Sequence, residues 1–360
     1  MKKTVKKLGL LMAALLIATA VFAGCTGAAT QQSAVSADVS NAPSAETSAS
    51  AKTSEETPAT GPYTIGITQI VEHPSLDRIR QGVIDKLAEL GYAEGDNFKI
   101  DYKSAQGDMA VATTIGQQFV ADKVDAIVAI ATPTAQAAYA ASMGSIPLVF
   151  SAVSEPVAAE LCNADGSNIA GVTGTSDKLP VERMFDLIKQ MVPGAKSIGI
   201  LHSTGEVNSD MQLTEAKEKS GGYGFEIVDV GITSTNEMAS ALDTLLPQVD
   251  VVMNLTDNTV VGALALEVQK CNEKKIPLFG SEDTQVAGGA LASAGIDYYT
   301  LGQNTGAMVA EVLEGKKPEE IRIQTSAEAM IAVSAEQAKF LGLTVPDALK
   351  ANILSPEASN

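Results

Sequence analysis

Three carboxylates, Asp177, Glu206 and Asp257, fall in short polar stretches that follow apolar runs, and three hydroxyl residues, Thr132, Ser151 and Ser209, fall in comparable stretches. These types suit the two ends of an α-amino acid zwitterion. A carboxylate accepts a charge-assisted hydrogen bond from an ammonium group. A helix N-terminus flanked by hydroxyls offers backbone N–H groups and a favourable dipole to a carboxylate. Asp177 and Asp257 are equally suited to capping the helices that follow them. His73, just before Pro74, reads either as a surface turn residue or as part of the same polar lining, and Tyr298 as core, hinge or contact residue. His202 ends an apolar run and reads as a packed side chain, while Glu72 reads as solvated or hinge-bonded.

Other chemistry is poorly represented. The chain lacks G-x-G-x-x-G after an apolar run, G-x-x-x-x-G-K-[ST], G-x-S-x-G and H-E-x-x-H, so no nucleotide-binding or hydrolytic signature is present and no catalytic residue is assigned. His73 and His202 are the only histidines, with no cysteine at ligand spacing, which argues against a zinc site and leaves no cofactor to accommodate. Arginine occurs only at positions 78, 80, 183 and 322, none at the head of a strand-end loop, which disfavours a bidentate clamp on phosphate. The absence of tryptophan weakly disfavours sugars. A formal charge of -18 excludes nucleic acid as an expected partner and leaves small molecules and membrane proteins. Cys162 and Cys271 read as two buried free thiols, with a disulfide as the alternative.

The candidate residues need strands and helices to present them. From Pro62 onward, short β-branched runs alternate with longer amphipathic ones, the pattern of β-α units around parallel sheets. Strands are expected at 64–69, 98–103, 126–131, 147–153 and 171–175. Helices are expected from Leu76, with Ser75 as N-cap and Gly91 as its end, and from Thr132-Pro133. The plan then repeats, with strands at 197–202, 225–232, 251–255, 277–281 and 290–294. Helices begin near Ser209, at the capping box Ser234-Thr235-Asn236-Glu237, and at Asn258. A helix over 299–313, a strand over 330–334 and a helix over 335–341 complete the chain. The predicted fold class is α/β, with two doubly wound parallel-sheet lobes. Ligands of such sheets sit beyond the carboxyl ends of the strands. That rule selects Gln69, His73, Ser75, Thr132, Pro133, Ser151, Ala152, Val153, Asp177, Glu206, Asn208, Ser209, Asp257, Asn258 and Tyr298 as candidate ligand-binding residues.

Ahead of these units, Lys2, Lys3, Lys6 and Lys7 precede a mostly apolar run from Leu8 to Ala23, too short for a membrane span and typical of a secretory leader. The run ends in Val21-Phe22-Ala23-Gly24-Cys25, which resembles a bacterial lipoprotein signal, with Phe22 in place of the preferred Leu. The resemblance implies cleavage after Gly24 and a lipid on Cys25, and ordinary secretion is the alternative. Residues 26–61 are Ala, Ser, Thr, Gln, Glu and Pro with almost no large apolar side chain, so they read as a disordered leash.

The set Ile67-Thr68-Gln69-Ile70-Val71-Glu72-His73-Pro74-Ser75-Leu76-Asp77, Ala131-Thr132-Pro133, Phe150-Ser151-Ala152-Val153 with Pro156, and Gly171-Val172-Thr173-Gly174-Thr175-Ser176-Asp177 carries a resemblance. With Glu206-Val207-Asn208-Ser209, Thr256-Asp257-Asn258 and Gly295-Ile296-Asp297-Tyr298 it is similar to the solute-binding proteins of an ABC importer family associated with tryptophan and tyrosine uptake. His202 stands where that family more often carries Tyr. The resemblance implies a type I periplasmic-binding fold, with two lobes joined by three crossovers near 175–177, 295–298 and 323–326. The implied organisation is a signal peptide over 1–24, a tether over 25–61, an N-terminal lobe of 62–175 plus about 298–322, and a C-terminal lobe of 176–297 plus about 323–355. It further implies a non-enzymatic, monomeric binder of an amino acid. Its partners would be an ABC permease with its ATPase, and it would be held at the extracytoplasmic face of the cell membrane by lipid on Cys25. A branched-chain amino acid as ligand, or sensing without transport, are the alternatives.

Overall fold

A computed structural model describes residues 62–95, 97–325 and 329–354. The leader, Cys25 and the proposed leash lie outside the described residues. The first β-α units run β1 (Tyr63–Gln69), α1 (Pro74–Glu89), β2 (Phe98–Ser104), α2 (Met109–Asp122), β3 (Ala126–Ile130), α3 (Thr132–Ser142), β4 (Leu148–Ser151) and β5 (Val172–Ser176). The second series runs α4 (Val181–Met191), β6 (Ser197–Ser203), α5 (Val207–Tyr223), β7 (Glu226–Ile232), α6 (Met238–Leu245), β8 (Val251–Met253), α7 (Asn258–Val261), α8 (Leu264–Lys274), β9 (Leu278–Gly280), α9 (Asp283–Ala287) and β10 (Ala292–Gly295). After it come α10 (Tyr298–Leu313), β11 (Gln324–Thr325), β12 (Met330–Val333) and α11 (Ala335–Leu341).

These strands form two six-stranded sheets, ordered β11-β5-β4-β3-β1-β2 and β12-β10-β9-β8-β6-β7. Every pairing is parallel except β10 with β12. Parallel sheets need helices on both faces, so their central strands read as continuous apolar runs. Ala-Ile-Val-Ala-Ile in β3 and Val-Val-Met in β8 are such runs and are buried throughout. The edge strand β2 alternates lysine and aspartate with apolar residues and is half-buried.

The chain passes between the sheets after β5, after β10 and between β11 and β12. After the second passage α10 returns to pack along α1. Backbones touch there: a Cβ on Gly302 would stand 2.1 Å from the Ile79 carbonyl oxygen, and one on Gly82 would stand 2.3 Å from that of Tyr299.

Three helices lie outside the sequence expectations. In α2 the buried face is Ala112, Ile115, Gly116 and Phe119, too poor in large side chains to announce itself, and Asp108 caps it through the Ala110 amide at 2.7 Å. In α4 the buried positions Val181, Met184, Phe185, Leu187, Ile188 and Met191 do follow helical periodicity. The short α9 is capped by the Glu282 carboxylate, an unusual cap residue. Local starts also differ. His73 occupies the N-cap position of α1, because the Ser75 hydroxyl is drawn to Glu282 at 2.8 Å. Ala131 rather than Thr132 precedes α3, and α5 starts at Val207. The expected capping box at Ser234 does not form: Ser234 makes no side-chain cap bond, and Glu237 instead accepts from the Thr233 amide at 2.9 Å and the Thr233 hydroxyl at 2.8 Å, ahead of a 3₁₀ turn that leads into α6. Helix α7 ends after four residues and α8 follows it. Cys162 and Cys271 are free and buried. No described helix is long and apolar enough to cross a membrane.

Candidate ligand-binding cleft

In both sheets the strand order reverses between the first strand and the third, β1/β3 in one and β6/β8 in the other. The loops leaving such neighbouring strands diverge to opposite faces and open a crevice at their carboxyl ends. The two crevices face one another here. Between them lies a narrow cleft walled by residues of both lobes.

Nine of the candidate residues line it: His73, Ser75, Thr132, Ala152, Asp177, Asn208, Asp257, Asn258 and Tyr298. Leu76, Ala131, Thr256, Val261, Ser281, Glu282 and Gln285 complete the wall. The other six candidates sit behind it. The Gln69 amide donates to the Val71 carbonyl and the Asp77 carboxylate, both at 3.2 Å, and fixes the loop after β1. Pro133 occupies the first turn of α3, and Val153 is fully buried in the core. The Ser151 hydroxyl is shared with Thr305 at 2.8 Å and Thr175 at 3.2 Å. The Ser209 hydroxyl donates to Asp257 at 2.7 Å, and Glu206 binds the loop opposite.

The carboxylates differ in what already satisfies them. Glu206 accepts from Asn258 Nδ2 at 2.6 Å and from the Thr259 amide and hydroxyl, both at 3.0 Å. Asp257 accepts from the Val260 amide at 2.9 Å, so it caps α7. Burial pushes both pKa values up, and their mutual repulsion adds to it for Glu206. Glu282 is tied to Ser75 and Thr284 and is likewise raised by burial. Asp177 is different. It meets only hydroxyls in the cleft, Tyr298 Oη at 2.6 Å and Ser154 Oγ at 2.8 Å, while its neighbour Lys178 pairs with Glu155 at 2.8 Å. Burial raises both the Asp177 carboxyl and the Tyr298 phenol.

Strain marks the opposite wall. Ala131 has φ 79° and Ala152 φ 55°, conformations that alanine rarely adopts. Both follow neighbouring strands, β3 and β4, and Ala131 turns the chain directly into the N-terminus of α3. Non-glycine strain of this kind concentrates where backbone groups are held for a ligand. The cleft is also bridged from lobe to lobe: Ser75 to Glu282 and Ser154 to Thr256, both at 2.8 Å, and Arg78 to Asp283 at 3.2 Å.

Behind the second wall, Asn254 donates to Glu267 at 2.8 Å and to Gln285 at 3.1 Å. Burial pushes the Glu267 carboxyl up to about 8. An acid raised in the folded state opposes folding as pH climbs from the unfolded value towards the folded one. Ligand-free protein is therefore expected to lose stability between about pH 4.5 and about pH 8 on this account, and Glu267→Gln to melt a few degrees higher than the parent above that window. Below about pH 4.5 the difference should vanish. Melting curves of both proteins across this range check it.

Two facing, mostly parallel sheets, three chain crossings and a cleft between the strand ends define a two-lobed periplasmic-type binding protein. The chain belongs to the ABC transporter substrate binding protein family, whose model matches residues 64–355. It is 41% identical to a tyrosine-binding protein of Clostridioides difficile over 279 residues, which is 78% of this chain and 81% of that one. A Streptococcus pneumoniae ABC domain solved in complex with L-Trp superposes with a TM-score of 0.78 at 34% identity, covering 81% of this chain and 99% of that one. The ligand-free, open structure of a Clostridium difficile substrate binding protein with adhesive properties gives 0.62 at 39% identity, covering 81% and 98%.

Proposed function

We propose that this substrate-binding protein captures an aromatic α-amino acid, tyrosine or tryptophan, between its lobes and delivers it to the permease of an ABC importer. The observation that carries the reading is Asp177, a wholly buried carboxylate at the first crossing that faces the cleft with hydroxyl partners only. It is the natural seat of the ligand ammonium group, since a buried charge gains most from a charged donor. The ligand carboxylate is assigned to the N-terminus of α3 beside Thr132, where the strained Ala131 presents the first turn. Leu76, Val261 and the Tyr298 ring supply apolar wall for the side chain.

Loops of both lobes line the cleft, so a ligand held there stabilises the closed arrangement by its differential affinity for it. The hydrogen bonds across the cleft describe such an arrangement. The likeness is also greater to the L-Trp complex than to the open, ligand-free structure, although the identity is lower. Nothing in this reading makes or breaks a covalent bond. The bounds of the lobes given above and the monomeric state belong to the same proposal.

Thermal unfolding tests the ligand assignment. At about 100 times its Kd a ligand stabilises the folded state by about 2.7 kcal/mol. L-Tyr or L-Trp is expected to raise the melting temperature in a concentration-dependent way, and no response to any aromatic amino acid would remove the assignment. Anchoring by lipid on Cys25 is tested separately. Cys25→Ala is expected to move the protein from the membrane to the soluble fraction with ligand affinity unchanged, and a variant that stayed in the membrane would overturn the anchor.

A further inference from the structure

Most polar groups of the cleft wall are engaged within the protein, and the exceptions are informative. Both ring nitrogens of His73 and the side-chain oxygen of Asn208 are buried without a hydrogen-bond partner. His73 is 8% exposed and Asn208 1%, and the two line the cleft from opposite lobes. A buried polar group without a partner is costly, of order 1–3 kcal/mol, and calls for an explanation. Asn208 explains half of its own geometry, because its Nδ2 is spent on Glu206 and on the Thr256 carbonyl at 2.9 Å, which leaves Oδ1 to accept a donor from the ligand.

His73 has no such internal engagement. A neutral imidazole offers one donor and one acceptor. Burial lowers its pKa to about 4, so it carries no charge near neutral pH and is a poor match for either charged end of an amino acid. Asp177 and the start of α3 serve those ends. What remains for His73 is a neutral polar group on the ligand side chain.

We infer that His73 is a specificity-determining residue: its imidazole hydrogen-bonds the polar atom of the ligand side chain, a phenolic hydroxyl or an indole N–H, and so rejects phenylalanine. The inference rests on the reading of the cleft as an aromatic amino acid site. A site built to bond a hydroxyl disfavours the analogue without it because the protein group is left unpaired.

Calorimetric titration of the parent, His73→Leu and His73→Gln proteins with L-Tyr, L-Trp and L-Phe tests it. The parent is expected to bind L-Phe at least about tenfold more weakly than L-Tyr. His73→Leu should lose about tenfold for L-Tyr and L-Trp while changing L-Phe little, and His73→Gln should recover part of the loss. Equal affinity of the parent for L-Phe and L-Tyr would overturn the inference, as would an equal loss for all three ligands in His73→Leu, which would mark a contact with the shared amino acid backbone or a role in folding alone. Absence of binding by all three would instead remove the aromatic reading itself, and this inference with it. Imidazole ¹⁵N resonances of the unaltered protein give a readout independent of variant folding, since the sequence contains only two histidines. L-Tyr should shift the His73 ring and L-Phe should leave its hydrogen-bonding signature absent; a His73 ring unmoved by L-Tyr would contradict the assignment.

Discussion

Asp177→Asn is expected to weaken amino acid binding by about 100-fold while raising the melting temperature of the ligand-free protein, with about 2–5 kcal/mol typical for removing one partner of a buried, hydrogen-bonded charge pair. The two effects have opposite signs for one reason. The carboxyl is wholly buried and its pKa is raised by that burial, so in the empty protein its charge works against folding. An amide of the same shape can still bond the Tyr298 and Ser154 hydroxyls, which sit at 2.6 and 2.8 Å. It cannot attract an ammonium group. Because the folded pKa is raised, the stability gain of the variant is fully present above the folded value, shrinks as pH falls from there towards the unfolded value of about 3.9, and is gone below it. Titration calorimetry and melting curves of the same preparations check both halves. A fall in both affinity and stability would make Asp177 a structural hinge residue, and unchanged affinity would place the ammonium elsewhere.

Gly302→Val is expected to destabilise the protein by about 3 kcal/mol or more, at or beyond the usual range for overpacking. Even a single Cβ would stand 2.1 Å from the Ile79 carbonyl oxygen, and the obstacle is backbone rather than a flexible side chain. Helix α10 must then move off α1, and its first residue is Tyr298, which holds Asp177. Ligand affinity should therefore fall together with stability, through a residue that lines no part of the cleft. Gly221→Ala serves as the contrast. That glycine lies inside α5 with no atom within 4 Å of an added Cβ, so the change should be neutral or stabilising by about 0.5–1 kcal/mol. Denaturant unfolding of both variants distinguishes the local clash from a general intolerance of glycine replacement.

The strands were legible because parallel β-α units announce themselves. The apolar run at 126–131 and the β-branched run at 197–202 correspond to Ala126–Ile130 and Ser197–Ser203. Strand-end loops then follow from topology alone, which is why Asp177, Asn208 and Tyr298 could be selected before any contact was known. Helix α4 carried a readable pattern in Met184, Phe185, Leu187 and Ile188, whereas α2 buries alanine and glycine and carried almost none.

Partnership was not legible. Asp257 and Asp177 look alike in sequence, yet one accepts the backbone amide of its own helix and the other accepts two side-chain hydroxyls, one of them 121 residues away. Glu282 lies in the strand-end loop 281–283 but was not among the selected ligand residues, because the contact that draws it to the wall comes from Ser75, 207 residues earlier. The strained backbones of Ala131 and Ala152 had no sequence signal either, since alanine is not a residue expected at positive φ. Nor could spacing show that both nitrogens of His73 would end buried and unpaired.

The chain contains no tryptophan, so in a mixture with L-Trp all indole emission belongs to the ligand. Titrating the protein into L-Trp and following that emission tests most directly whether the cleft holds an aromatic amino acid. The predicted result is a saturable shift to shorter wavelength at one ligand per chain, reversed by excess L-Tyr and weakened by about 100-fold in Asp177→Asn. Emission that stayed that of free tryptophan at all protein concentrations, together with no displacement signal from L-Tyr, would contradict the account.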